Sequence, residues 1–118
     1  MARGVNKVII VGTLGADPDT SYAPNETAIT KLSIATNESW KNKGGALVEH
    51  TEWHNLIAWG KLAEFGIDFL YKGQLVSIEG SLRTRTWEDK GEKAHKITEI
   101  LCASIIPLEW KKEDIQTK

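Results

Sequence analysis

The sequence has one cysteine, Cys102, among 118 residues, so no intrachain disulfide can form. Cys102 sits in an apolar run and reads as a small core residue rather than a reactive thiol. No apolar run approaches the roughly 20 residues that a membrane-spanning helix needs. The opening MARGVNKVIIVG has too short an apolar stretch and too early a glycine for a secretory signal. An intracellular, cytoplasmic protein with no membrane partner is the expectation. An excess of either charge is also missing, because 15 Lys and Arg stand against 16 Asp and Glu for a net charge of −1. The chain therefore lacks the overall basicity that many polyanion binders show, and any basic surface must come from segregation of charge.

Catalytic signatures are absent too. His50 and His54 flank Thr51-Glu52-Trp53, but a zinc-protease helix needs its glutamate directly after the first histidine. In a strand these two imidazoles would stand roughly 13 Å apart, at about 3.3 Å per residue, too far to share one ion. Residues 11–15 (VGTLG) lack the lysine and the following helix of a phosphate-cradling loop. No pair of carboxylates is spaced as a matched acid and base. No metal, no cofactor and no enzymatic activity are expected.

What is present is one domain's worth of strands. Residues 6–12 (NKVIIVG) form a β-branched run ended by glycine, and residues 20–22 allow a short strand between turn signals. A long strand is expected over 27–39, then a loop over 40–45 (WKNKGG), then a strand over 47–59. In the last of these, Trp53, Asn55, Ile57 and Trp59 share one face, and His54, Leu56 and Ala58 the other. Leu62, Phe65, Phe69 and Leu70 recur at helical spacing, which predicts a helix over 61–72 capped by Gly73. Strands over 75–87 and 93–106 follow, joined by a turn at 88–91. The order predicts an all-β fold with one helix: a five-stranded Greek-key barrel of the OB type. The helix falls between the third and fourth barrel strands, and a long hairpin joins the fourth and fifth. Residues 1–107 are expected to form this domain and 108–118 a short charged extension.

The most informative stretch is 75–87, LVSIEGSLRTRTW. Val76, Ile78, Gly80 and Leu82 alternate onto a core face and are expected to build the barrel wall. Arg83, Arg85 and Trp87 line up on the other face. Guanidiniums meet phosphates and a flat indole meets an unpaired base, so the strand suits single-stranded nucleic acid. Read alone, the stretch is better described as a hairpin with solvated arginines and one packed Trp. The five tryptophans shift that balance. Trp40 adjoins Lys41 and Lys43 at a strand–loop junction, Trp53 and Trp59 share a strand face, and Trp87 ends the Arg83–Arg85 face. Trp110, in the charged tail, reads as a packing residue.

These residues give the chain a resemblance to the bacterial single-stranded DNA-binding proteins, the SSB family, over nearly its whole length up to about Pro107. The matching blocks are residues 3–9 (RGVNKVI) with Val11-Gly12, then Gly15 and Asp17-Pro18. Next come Tyr22 with Pro24-Asn25, Ala35-Thr36 with Glu38-Ser39-Trp40, and Thr51-Glu52-Trp53-His54. Residues 60–64 (GKLAE), Lys72-Gly73, Ile78-Glu79-Gly80, residues 82–85 (LRTR) and Trp87 complete them. The resemblance implies an OB-fold homotetramer that binds single-stranded DNA without sequence preference, in replication, recombination and repair. It assigns base stacking to Trp40, Trp53 and Trp87, and to Trp59 where the family usually has phenylalanine. It gives phosphate contacts to Arg3, Lys43, Lys61, Lys72, Arg83 and Arg85, and places His54 near a subunit interface. Asn55 stands where a basic residue is common. The family's acidic C-terminal tip, which recruits replication and repair proteins, has no counterpart in the sequence, which ends IQTK. An OB-fold subunit that binds protein first is the alternative.

Overall fold

The fold follows from long strands that are apolar on one face only. In this computed structural model, residues 3–111 are described. The elements in chain order are β1 (Val8–Leu14), β2 (Asp19–Tyr22), β3 (Ala28–Lys41), β4 (Leu47–Trp59), α1 (Lys61–Phe69), β5 (Leu75–Glu88) and β6 (Ala94–Pro107). The sheet runs β1-β5-β6-β4-β3-β2, and β1 also pairs with β3 through Thr13↔Ala35 and Leu14↔Ile34. That second pairing closes β1, β5, β6, β4 and β3 into the expected five-stranded OB barrel. The short β2 adds to β3 alone. Every pairing is antiparallel except the short parallel contact of β4 with β6 at Leu56↔Ile100 and Ile57↔Leu101. The core is the alternate residues of these strands: Leu14, Ile34, Leu56, Val76 and Ile78 are almost wholly buried.

Two hairpins run on past the barrel. β3 and β4 stay paired out to Lys41↔Leu47, and β5 and β6 out to Glu88↔Ala94. These arms raise the radius of gyration to 17.2 Å, whereas a compact 100-residue domain has about 13 Å.

Two glycines let the walls close. A Cβ on Gly12 would meet the Ala35 carbonyl oxygen, and one on Gly80 the Leu101 carbonyl oxygen, both well inside contact distance. Gly80 sits at a β-bulge, where the pairing steps from Glu79↔Ser104 to Gly80↔Cys102 and leaves Ala103 unmatched.

The structure corrects four local expectations. The helix stops at Phe69, not residue 72, because Leu70 turns extended (φ −97°, ψ 145°) and buries its side chain. The fully buried Gln74 amide secures that end, its Nε2 donating to the Phe69 carbonyl at 3.2 Å and its Oε1 accepting from the Tyr71 N–H at 3.3 Å. Gly73 (φ +90°) is therefore not the helix cap; it forms the following turn and donates its N–H to the Leu14 carbonyl at 2.8 Å. Leu82 is not barrel wall: it is 52% exposed, beyond the point where β1 leaves β5. There the Asn6 side chain replaces a strand, bonding both the N–H and the C=O of Leu82 at 2.8 Å. Trp40 and Lys41 belong to β3, so the loop reduces to residues 42–46.

Past Pro107 the chain stays docked. Gln74 Nε2 donates to the Glu109 carbonyl at 2.7 Å, and Trp110 packs edge-on against Phe65 and Phe69 of α1. Residues 112–118 of the expected extension lie outside the described residues.

Candidate nucleic-acid interface

Strand alternation on β4 sets the line of the site. Leu56 and Ala58 point into the barrel, so Trp53, Asn55, Ile57 and Trp59 point out. Register with β3 places Ala35, Ser33, Lys31 and Ile29 beside them in that order. Beside Trp59 the surface deepens into an open groove of about 880 Å³. Ile29, Ile57 and Leu101 supply its apolar lining, and Trp59, Lys31, Arg83 and Arg85 its aromatic and cationic groups. Three residues expected from the sequence to act together, Trp59, Arg83 and Arg85, are thus brought together by β4 and β5.

The cations are held differently. Arg85 Nε donates to Glu99 Oε1 at 2.8 Å, and Glu99 is buried beneath it. A buried carboxylate needs such a partner, and here the partner is half exposed and faces the groove. Arg83 makes no ion pair among the described residues. Lys31, which sequence reasoning left out of the site, stands in the groove with both arginines. Its only sequence signal is alternation with Ser33 and Ala35; membership of the site depends on the register with β4. Asp19 lies opposite Lys31 in β2 without forming an ion pair.

Of the remaining indoles, Trp53 extends the line along β4, whereas Trp40 and Trp87 stand on the two arms. Trp53 lies six residues along β4 from Trp59, about 20 Å at the usual strand rise. Its ring rests on Gly15, where an added Cβ would come 2.8 Å from Cη2 and still nearer Cζ3. Glycine at 15 therefore permits the present pose of Trp53. Gly15→Ala is expected to displace the ring and change the environment-sensitive emission of Trp53, with little loss of melting temperature because the indole edge can swing outward. Trp40 projects from the β3–β4 arm, where its register with Val48 puts it on the His54 face of the hairpin, and Lys43 is in the loop that joins the two strands. Trp87 projects from the β5–β6 arm, stacked on His95 with centroids 4.5 Å apart and planes at 21°. The four indoles are each 46–57% exposed. That is a large apolar area left at the surface of one chain, and exposed apolar patches mark contact sites.

Other sequence candidates fall outside the groove. Lys61 opens α1 just after Trp59 and Gly60. Lys72 lies in the turn after the helix, its backbone N–H on Asp17 Oδ1 at 2.8 Å, near the loop that Trp53 rests on. Arg3 precedes β1 and is exposed. His54 is on the opposite face of β4 from Trp53, half-buried, with Nε2 2.9 Å from Thr36 Oγ1. Cys102, in the barrel wall by the groove, has its thiol pushed up to about 12 by burial, so it stays neutral.

The comparisons agree with this geometry. A family model, the single-strand binding protein family, matches residues 5–108. A Plasmodium falciparum SSB in complex with ssDNA superposes with a TM-score of 0.84 at 28% identity, over 92% of this chain and 99% of that one. The crystal structure of wild-type single-stranded DNA binding protein from Thermus aquaticus gives 0.78 at 39% identity, over 92% of this chain. Its deletion mutant Δ228–252 R190A gives 0.79 at the same identity. The match spans 52–53% of the Thermus chains, about half their length. With its OB barrel, its exposed indoles and a family match over all but its ends, this chain belongs to the single-strand binding protein family.

Proposed function

We propose that this protein binds single-stranded DNA without regard to sequence and shields it during replication, recombination and repair. The observation that carries this reading is the groove in which half-exposed Trp59 meets Lys31, Arg83 and Arg85, with three more half-exposed tryptophans on β4 and the two arms. In this reading Trp40, Trp53, Trp59 and Trp87 stack unpaired bases. Lys31, Arg83 and Arg85 meet phosphates in the groove, and Arg3, Lys43, Lys61 and Lys72 meet them at its approaches. Stacking tolerates any base because every base has a π-face, and each stacked base contributes about 1–3 kcal/mol. Binding alone is the activity; no reaction is needed. The Plasmodium relative, which was solved with ssDNA, supports the ligand.

The phosphate part is tested with salt. On single strands the log–log slope of affinity against salt is about −0.7 per phosphate contact. Titrating wild type, Lys31→Ala and Arg83→Ala with oligo-dT should give slopes that flatten by about 0.7 in each variant. Affinity independent of salt would overturn the phosphate assignments.

Self-assembly into a homotetramer belongs to the same proposal. β1 pairs with β5 along its length but with β3 only at Thr13 and Leu14, so among the described residues its other edge has no ladder partner from residue 8 to 12. Ile9, Val11 and Ile106 are exposed on the outer face beside it. An open edge with an apolar face is a template for another strand, and a second copy supplies one. His54 is assigned to a subunit boundary on the family pattern. Light scattering should report four times the 13.1 kDa chain mass; a monomer mass would overturn this part.

A further inference from the structure

The β5–β6 arm carries an aromatic pair that base stacking on a lone Trp does not require. Trp87 and His95 are direct cross-strand partners. Their rings stack at 4.5 Å and 21°, and His95 Nε2 sits 2.8 Å from Asp89 Oδ2. Asp89 is itself fixed by the turn. Its Oδ1 accepts the N–H of Gly91 at 2.9 Å and of Lys93 at 3.0 Å. These bonds, with that to His95 the largest influence, hold the Asp89 carboxyl below its ordinary range. Glu92, not Gly91, takes the left-handed conformation that closes the loop, at φ 64°. The imidazole is thus tethered at the arm's tip by a carboxylate that the hairpin turn orients.

The stack lies across the two strands, so His95 covers the indole face that looks toward β6. On its other side β5 has no strand partner in the arm among the described residues, because pairing with β1 ends at Val8↔Gly80. The free face of Trp87 therefore looks off the edge of the arm. We propose that His95 is a positioning residue for DNA: it backs Trp87 so that the indole takes one base, on the face directed away from β6, as the third layer of a base–Trp87–His95 stack. This rests on the single-stranded DNA reading above and adds which face of Trp87 is used and which residue sets it.

A stacked aromatic pair of this kind corresponds to about a two- to ten-fold change in an equilibrium. His95→Ala frees the indole to rotate, and is expected to lower oligo-dT affinity by about that factor. His95→Phe, which keeps a flat partner, should restore it. The salt slope should stay at the wild-type value in both variants, since no phosphate contact changes. In a Trp87→Ala background, His95→Ala should have no further effect. Near- and far-ultraviolet circular dichroism of each variant checks that the arm and barrel remain folded. The proposal is overturned if His95→Ala binds like wild type, if His95→Phe fails to rescue a folded protein, or if the loss persists without Trp87. Absence of oligo-dT binding by the wild type would instead defeat the underlying function.

Discussion

Replacing Trp53 and Trp59 together with alanine is expected to lower affinity for oligo-dT by about 1.5 to 4 orders of magnitude, while the barrel stays folded. Each lost stack removes about 1–3 kcal/mol, and about 1.4 kcal/mol is a factor of ten. The two rings are about 20 Å apart on β4 and share no neighbour in register, so their effects should add. Both are half exposed and neither belongs to the buried core. Truncation therefore leaves no internal cavity, and melting temperature should move little. Equilibrium titration of the two single variants and the double variant, at one salt concentration, measures each contribution and their sum. A double variant that binds like wild type would remove β4 from the DNA path.

The largest effect on stability is expected at Gly80. Its position is fixed by backbone on the neighbouring strand: an added Cβ would strike the Leu101 carbonyl oxygen, reach the Leu101 carbonyl carbon at 3.0 Å and reach Ile100 Cγ2 at 3.1 Å. A carbonyl in a sheet ladder cannot swing aside as a side-chain tip can. β5 and β6 must separate at the bulge, where Cys102 and Ile105 complete the core. Overpacking commonly costs about 1–3 kcal/mol, and for a clash with backbone Gly80→Ala should reach the upper end or exceed it. That corresponds to a fall of about 10 °C or more in melting temperature for a domain of this size. Gly44→Ala is the control, because its Cβ would meet only the Asn42 Oδ1 atom, at 3.5 Å, in an exposed loop. It should melt close to wild type, within about 0.5 kcal/mol. Equal melting of the two variants would contradict the close approach at Gly80.

The barrel was readable because period-two alternation survives in strands with one buried face. Leu56 and Ala58 against Ile57 and Trp59 on β4 is the clearest case. Less readable was where an alternating strand leaves the barrel. Leu82 continues the apolar face of Val76 and Ile78 in sequence, and only the loss of β1 as a neighbour, replaced by the Asn6 side chain, exposes it. Helix length is hidden in the sequence for a similar reason. Gly73 is a plausible cap by local chemistry, but Gln74, a residue with no helix-ending signal, secures the chain end from inside the core. At the site, the tryptophans announced themselves by their number among charged residues. Lys31 and Glu99 did not. Lys31 acquires its neighbours through β2, β3 and β4, and Glu99 through the arginine that covers it. Both relations depend on the register between paired strands, which composition and spacing do not encode.

The central claim is that exposed indoles on this barrel stack on unpaired bases. Intrinsic tryptophan fluorescence, titrated with oligo-dT at low salt and in parallel with duplex DNA of the same length, tests it most directly. Strong, saturable quenching by oligo-dT, with much weaker quenching by duplex, is the predicted result. Undiminished emission at saturating oligo-dT, or equal quenching by duplex and single strand, would contradict it.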